Sequence, residues 1–235
     1  SACSESLENA LYLKYNWNLS KHYCDFNSTQ QCTCEKLRIT SEEMTCQNEN
    51  CGSIPDLSKC ASSINEIDFS SANTFQRSIE DLVSPLHRLR VLNLNGNDFG
   101  GSSILLLDFK TNHPELQELR LRNGNLSGSI SNLSLSGEIS VLDLSENQFE
   151  GFLPVSLPST LRLFDAHGNM LSGSVPFNLW TNLTSLEDLY LQNNVLSGTL
   201  KSDICMLRSL KRVYLASNYL EGSLPNLSCL SSLEV

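Results

Sequence analysis

Four histidines, 26 acidic side chains and nine cysteines are the residues of this 235-residue chain best equipped for chemistry. Of His22, His87, His113 and His167, only His167 falls on the face of a strand-like run, "LRLFDAHGN" (161–169), where it lies near Asp165. Asp143 holds the matching place in a similar run just before it. A histidine beside two carboxylates is the raw material of an acid–base or metal site. Such a site needs side chains that converge on one point, and the plainer reading is a polar patch on a solvated sheet. The chain has no phosphate-cradling glycine motif, no GxSxG and no HExxH. The expectation is a protein without catalysis, cofactor or metal.

Seven of the nine cysteines lie within the first 60 residues: Cys3, Cys24, Cys32, Cys34, Cys46, Cys51 and Cys60. Cys32 and Cys34 are one residue apart, and neither a CxxC pair nor a nearby His pair accompanies them, so a disulfide-stapled module fits better than zinc. Six N-x-Ser/Thr sequons, at Asn18, Asn27, Asn125, Asn132, Asn182 and Asn226, point to the same oxidising, secretory route. Ser1 is expected to begin a mature or trimmed chain from which a signal peptide is gone. No run of 18 apolar residues is present, so no direct membrane insertion is expected within this chain. A net charge of -10 and a pI near 4.8 argue against a nucleic-acid partner. They also disfavour anionic lipid, unless a local basic patch exists.

What must position these residues is a repeat. Seven segments share the layout LxxLxLxxNxLxG: residues 64–75, 89–101, 116–128, 139–151, 161–173, 186–198 and 210–222. The Asn slot holds Asn97, Asn147, Asn169, Asn194 and Asn218; Gly124 takes it in the third repeat, and Ala72 in the first, with Asn73 one residue late. Successive slots are 22 to 27 residues apart, the spacing of leucine-rich repeats. The LxL leucines alternate with outward residues, as a strand with one buried face requires. The Asn amide can satisfy backbone groups where the chain leaves the strand. Glycine four residues on suits a tight bend. Steps such as "FLP" (152–154), "SVP" (174–176) and "SLP" (223–225) start the return path. The fold class is therefore an α/β solenoid: a curved superhelix with a parallel concave β-sheet and an irregular or 3-10 convex side.

The extended form, with xLxGxxP after the Asn, resembles the plant-type leucine-rich repeats of receptor kinases, receptor-like proteins and polygalacturonase-inhibitor proteins. The resemblance covers residues 61–235 and implies an extracellular recognition module on the secreted or cell-surface side. Its ligand would be a peptide, protein or glycan held on the concave face, and in such receptors binding recruits a co-receptor. Two other roles fit the same fold: a structural or adhesion subunit of an extracellular assembly, and a secreted enzyme inhibitor.

Reading the outward positions strand by strand gives a candidate ligand surface. Arg120 and Arg122 form a basic spot in an acidic chain, Asp143, Asp165 and His167 follow, and Tyr190, Gln192, Arg212 and Tyr214 close the series. Aromatic residues and arginine are enriched where partners bind; cross-strand packing of the two tyrosines is the competing role. Asn132, Asn182 and Asn226 fall on the return side and Asn125 toward one flank, so glycans there leave the inner face open.

Both ends need covering. Residues 1–60 are expected to form a Cys-rich, disulfide-stapled cap, with a short helix within 5–17 and an edge strand at 44–46. Cys205 and Cys229 each lie eleven residues after an Asn slot, so they should stack one coil apart and pair. That leaves seven cysteines in the cap and one without a partner in it. "LSSLEV" (230–235) reads as the strand of an eighth, truncated repeat.

Overall fold

The computed structural model describes residues 24–26, 32–34, 36–38, 64–71, 79–104 and 108–234. The helix expected within 5–17 and the strand expected at 44–46 lie outside these residues, as do Asn18, Asn27, Ala72 and Asn73. So does the expected disulfide stapling of the cap.

Three-residue strands build the main sheet, because the LxL run allows one buried centre flanked by two outward residues. After a small antiparallel pair, β1 (Cys24–Phe26) with β2 (Cys32–Cys34), the strands are β3 (Lys36–Arg38), β4 (Glu66–Asp68), β5 (Val91–Asn93) and β6 (Glu118–Arg120). They continue as β8 (Val141–Asp143), β10 (Leu163–Asp165), β12 (Asp188–Tyr190) and β14 (Arg212–Tyr214). The eight strands from β3 onward are parallel and ordered as in the chain. Register places Ile67, Leu92, Leu119, Leu142, Phe164, Leu189 and Val213 side by side. The first six of these are fully buried. The place beside β4 belongs to Lys36–Arg38, which pairs with it residue for residue.

The Asn slot is the joint of each coil. The Asn147 amide donates to Leu121 O, Leu144 O and Ser145 O at 2.8 to 3.0 Å, and its Oδ1 accepts from the Gly124 and Leu126 N–H groups. Asn169 and Asn194 make the same outward and return bonds, with Oδ1 taking Phe149 N–H and Leu171 N–H. In the third repeat Gly124 takes the slot, in a tight place. A Cβ at Gly124 would come within 3.2 Å of Asn147 Oδ1, Leu121 O and Leu126 Cδ1.

A second parallel sheet runs along one flank, where sequence patterning suggests only a bend. It contains β7 (Ser127–Ser129), β9 (Gln148–Phe152), β11 (Met170–Gly173), β13 (Val195–Thr199) and β15 (Tyr219–Glu221). All but β7, whose repeat has Gly124 in the slot, follow their Asn joint directly. Phe149, Leu171 and Leu196 point into the core, and their neighbours point out. Gly173 shows why glycine recurs here: its φ is +75°, and a Cβ would lie 2.6 Å from the Phe152 ring.

The convex side carries the short helices α1 (Ile79–Val83) and α2 (Phe109–Asn112), a 3-10 turn at Ser202–Met206 and irregular loops. Trp180 fills it in one coil, edge-on to Phe164 and Phe177 at centroid distances of 6.0 and 5.9 Å, with Nε1 donating to Pro154 O. In the next two coils the matching slot holds the predicted disulfide. Cys205 and Cys229 are bonded, with Cα atoms 5.6 Å apart. At the last described residues, Glu234 N–H donates to Lys211 O just as Lys211 N–H donates to Glu187 O. The coil path therefore continues into the segment read as an eighth repeat.

Candidate functional site: the concave sheet face

All nine residues read as outward lie on or just past the strands of the main sheet, but they are not equivalent. The second outward column holds Asp68, Asn93, Arg120, Asp143, Asp165, Tyr190 and Tyr214. Where it holds Asp or Asn, the side chain folds back on its own strand end. Oδ1 accepts the N–H two residues on, at 3.1 to 3.2 Å, in Asp68–Ser70, Asn93–Asn95, Asp143–Ser145 and Asp165–His167. Asp143 also accepts from Ser145 Oγ at 2.6 Å and is 8% exposed. These carboxylates cap the turn that leaves the sheet, a role that the alternation of the sequence does not reveal.

His167 joins two coils. Its Nδ1 lies 2.6 Å from Asp165 Oδ1 and its Nε2 3.0 Å from Glu146 Oε1. Burial raises the Asp165 carboxyl above the usual range, and the Asp143 charge adds to this, while the His167 hydrogen bonds oppose it. Glu146 belongs to the turn after β8 and has φ +54°; sequence reading passed over it because it lies beyond the strand. Among the described residues, no group of three or more His, Cys, Asp or Glu side chains is placed to hold a metal ion. Of the other histidines, His113 is buried with Nδ1 3.1 Å from Leu86 O, and His87 Nδ1 lies 3.3 Å from Asn112 O. Neither faces the sheet's open side.

The arginines divide. Arg120 Nε and Nη2 donate to Glu118 Oε2 at 3.2 and 3.0 Å, within its own strand. Arg212 grips both oxygens of Asp188 at 2.6 and 2.8 Å. Arg122 is exposed, and its guanidinium has no partner among the described residues. The basic spot of the sequence is thus one free cation beside one neutralised one. Tyr190 and Tyr214 stack across β12 and β14 with centroids 5.2 Å apart and planes 21° from parallel. Burial, and then the Asp188 charge, raise the Tyr190 hydroxyl above its ordinary pKa, so it stays a neutral donor. Beside the stack, Gln192 Oε1 is shielded from water without a hydrogen-bond partner.

The repeats are leucine-rich repeats of the plant type. The family model described as Leucine Rich Repeat matches residues 138–159 and 185–207. Receptor-like protein 7 of Arabidopsis thaliana is 36% identical over 115 residues, covering 48% of this chain and 11% of that protein. Receptor-like protein EIX2 of Solanum lycopersicum is 34% identical over 86 residues, 36% of this chain and 8% of that protein. The chain therefore spans about a tenth of the length of these curated relatives. Among solved structures, the plant peptide hormone receptor RGFR1 in complex with RGF2 superimposes with a TM-score of 0.68 at 25% identity, over 85% of this chain and 35% of that one. The PEPR1–AtPEP1 complex gives 0.63 at 29% identity, over 77% of this chain and 25% of that one. Among the described residues, no helix is long and apolar enough to cross a membrane.

Proposed function

We propose that this chain is part of an extracellular recognition module that binds a peptide or protein along the concave face, between β6 and β14. The observation that carries this reading is the pair of polar groups on that face left unmatched among the described residues. Arg122 offers a guanidinium with no carboxylate, and Gln192 offers an acceptor with no donor. A buried acceptor left unsatisfied, as Gln192 Oε1 is, is costly, whereas the exposed Arg122 is a solvated charge open to an acidic partner. The two lie three strands apart, about 14 Å at the usual strand spacing, with the Tyr190–Tyr214 stack beside the second. An extended peptide can span that distance, meeting Arg122 with an acidic group and Gln192 with an N–H once its side chain swings out to bring the shielded Oε1 to the surface. The likeness to receptors solved with bound peptides supports the reading, as does the likeness to receptor-like proteins.

The test is selection of displayed random peptides on the immobilised chain. Enriched peptides should lose about tenfold or more in affinity against Arg122→Ala, the scale of a lost charge-assisted hydrogen bond, and should weaken against Tyr190→Ala. Equal binding to both variants and to the parent would remove the concave face as the site.

A further inference from the structure

The convex side holds a groove of about 440 Å³ lined by three successive coils, and Asn132 stands on its lining. Asn132 begins the sequon Asn132-Leu133-Ser134 and is exposed. Of the four described sequon asparagines, Asn132 and Asn226 have an Nδ2 without a hydrogen-bond partner among the described residues, and Asn132 alone has none on either amide atom. Asn125 donates to Asp98 Oδ1 and accepts from the Gln148 side chain. Asn182 donates to Leu157 O, and Asn226 Oδ1 accepts Ser228 N–H. Ser134, the sequon hydroxyl, is fixed at 2.8 Å on Asp108 Oδ1, which holds the Asn132 turn against α2. The groove is amphipathic. Ser131, Ser156 and Lys110 supply polar groups, while Val155 and Pro158 supply an apolar wall, Val155 being 52% exposed. A large apolar side chain left open beside donors suits a pyranose ring, which presents C–H groups on its face and hydroxyls on its rim.

We propose that Asn132 carries an N-linked glycan whose first N-acetylglucosamine lies in this groove and covers Val155, so that the sugar is a packed part of the fold. The linkage needs an oligosaccharide donor on a lipid diphosphate. Asn132 Nδ2 bonds to C1 of the sugar, the C1–O bond to the diphosphate breaks, and the diphosphate leaves with that electron pair. The proton lost from the amide goes to a base. The inference shares with the proposed function only the passage of the chain through a secretory pathway, which expression supplies directly.

The experiment is secretion of the chain from mammalian cells, glycopeptide mapping and thermal unfolding. Asn132 should be occupied. Endoglycosidase trimming that leaves one N-acetylglucosamine should preserve Tm, whereas Asn132→Gln should lower it by about 2–4 °C, the shift expected for a lost contact of modest size in a chain of this length. Asn226→Gln, on a sequon outside the groove lining, should leave Tm in place. In chain made without glycosylation in an oxidising cell-free system, Asn132→Gln should have no effect, which separates the sugar from the side chain. Because Asn132→Gln can also reduce secretion, a second variant fills the groove instead. Ser156→Arg keeps the sequon and should give the same Tm loss with the glycan still attached. An unmodified Asn132 overturns the proposal even if peptides bind the concave face. So does a Tm that trimming lowers as far as Asn132→Gln does, or one that neither variant moves.

Discussion

The two parallel sheets of each coil are made from the same alternation, yet they present opposite surfaces. On the concave sheet nearly every charged group is answered from within: Arg120 by Glu118, Arg212 by Asp188, His167 by Asp165 and Glu146. On the flank sheet the outward side chains include Phe152, Met170, Val195 and Tyr219, all large and exposed. The difference shows that the polar content of a face is a poor guide to what it offers. The charged face is mostly satisfied, and its free valences are few and specific.

The largest effect that tests this contrast lies at the joint between the sheets. Asn194→Ala should lower stability by about 3 kcal/mol, because Leu171 N–H, Ala166 O and Leu191 O lose their partner together. Urea unfolding measures it, and a loss below about 1 kcal/mol would mean that the sheets do not depend on the shared amide. Next comes the flank alone. Gly173→Ala should lose about 2 kcal/mol through its left-handed backbone and its clash with Phe152. The double variant with Phe152→Ala should regain part of this, and simple additivity would show that the ring is not what excludes the methyl. On the concave side, Tyr190→Ala should cost about 1 kcal/mol from lost stacking, while Arg122→Ala, having no internal partner, should leave the unfolding midpoint unchanged.

The smallest expected effect concerns pH. Asp165 has a raised carboxyl pKa in the folded chain. Between the unfolded aspartate value near 3.9 and that higher folded value, the native state holds more protons than the unfolded state. This group's contribution to stability therefore falls as pH rises through that window. Asp165→Asn should remove that fall, seen as a difference in slope between the two pH–stability curves across that window. Parallel curves would show that Asp165 titrates as in the unfolded chain.

The main sheet was legible because LxL repeats with a fixed Asn, so one reading error in a coil is corrected by six others. Cys205 and Cys229 were legible for the same reason: equal offsets from an Asn slot become adjacency once coils stack. The flank sheet was hidden because each of its strands carries or adjoins a glycine at positive φ, which reads as a bend. The roles of Asp143 and Asp165 were hidden for another reason. Alternation reports which way a residue starts out from the backbone, not that a short carboxylate turns back to its own chain two residues later. Among the arginines, position alone makes Arg120 and Arg122 alike; only the neighbour at Glu118 separates them.

The bond between Cys205 and Cys229 spans 24 positions, close to one full coil. A solenoid under tension peels from an end one turn at a time, each turn lengthening the molecule. Here the closed loop hides about 80 Å of extension, taking roughly 3.4 Å per residue. The turn between the two cysteines can leave the stack, but it cannot be drawn out into a thread until the bridge is reduced. A pull that reaches this turn therefore meets a short, bounded yield rather than a continuous one.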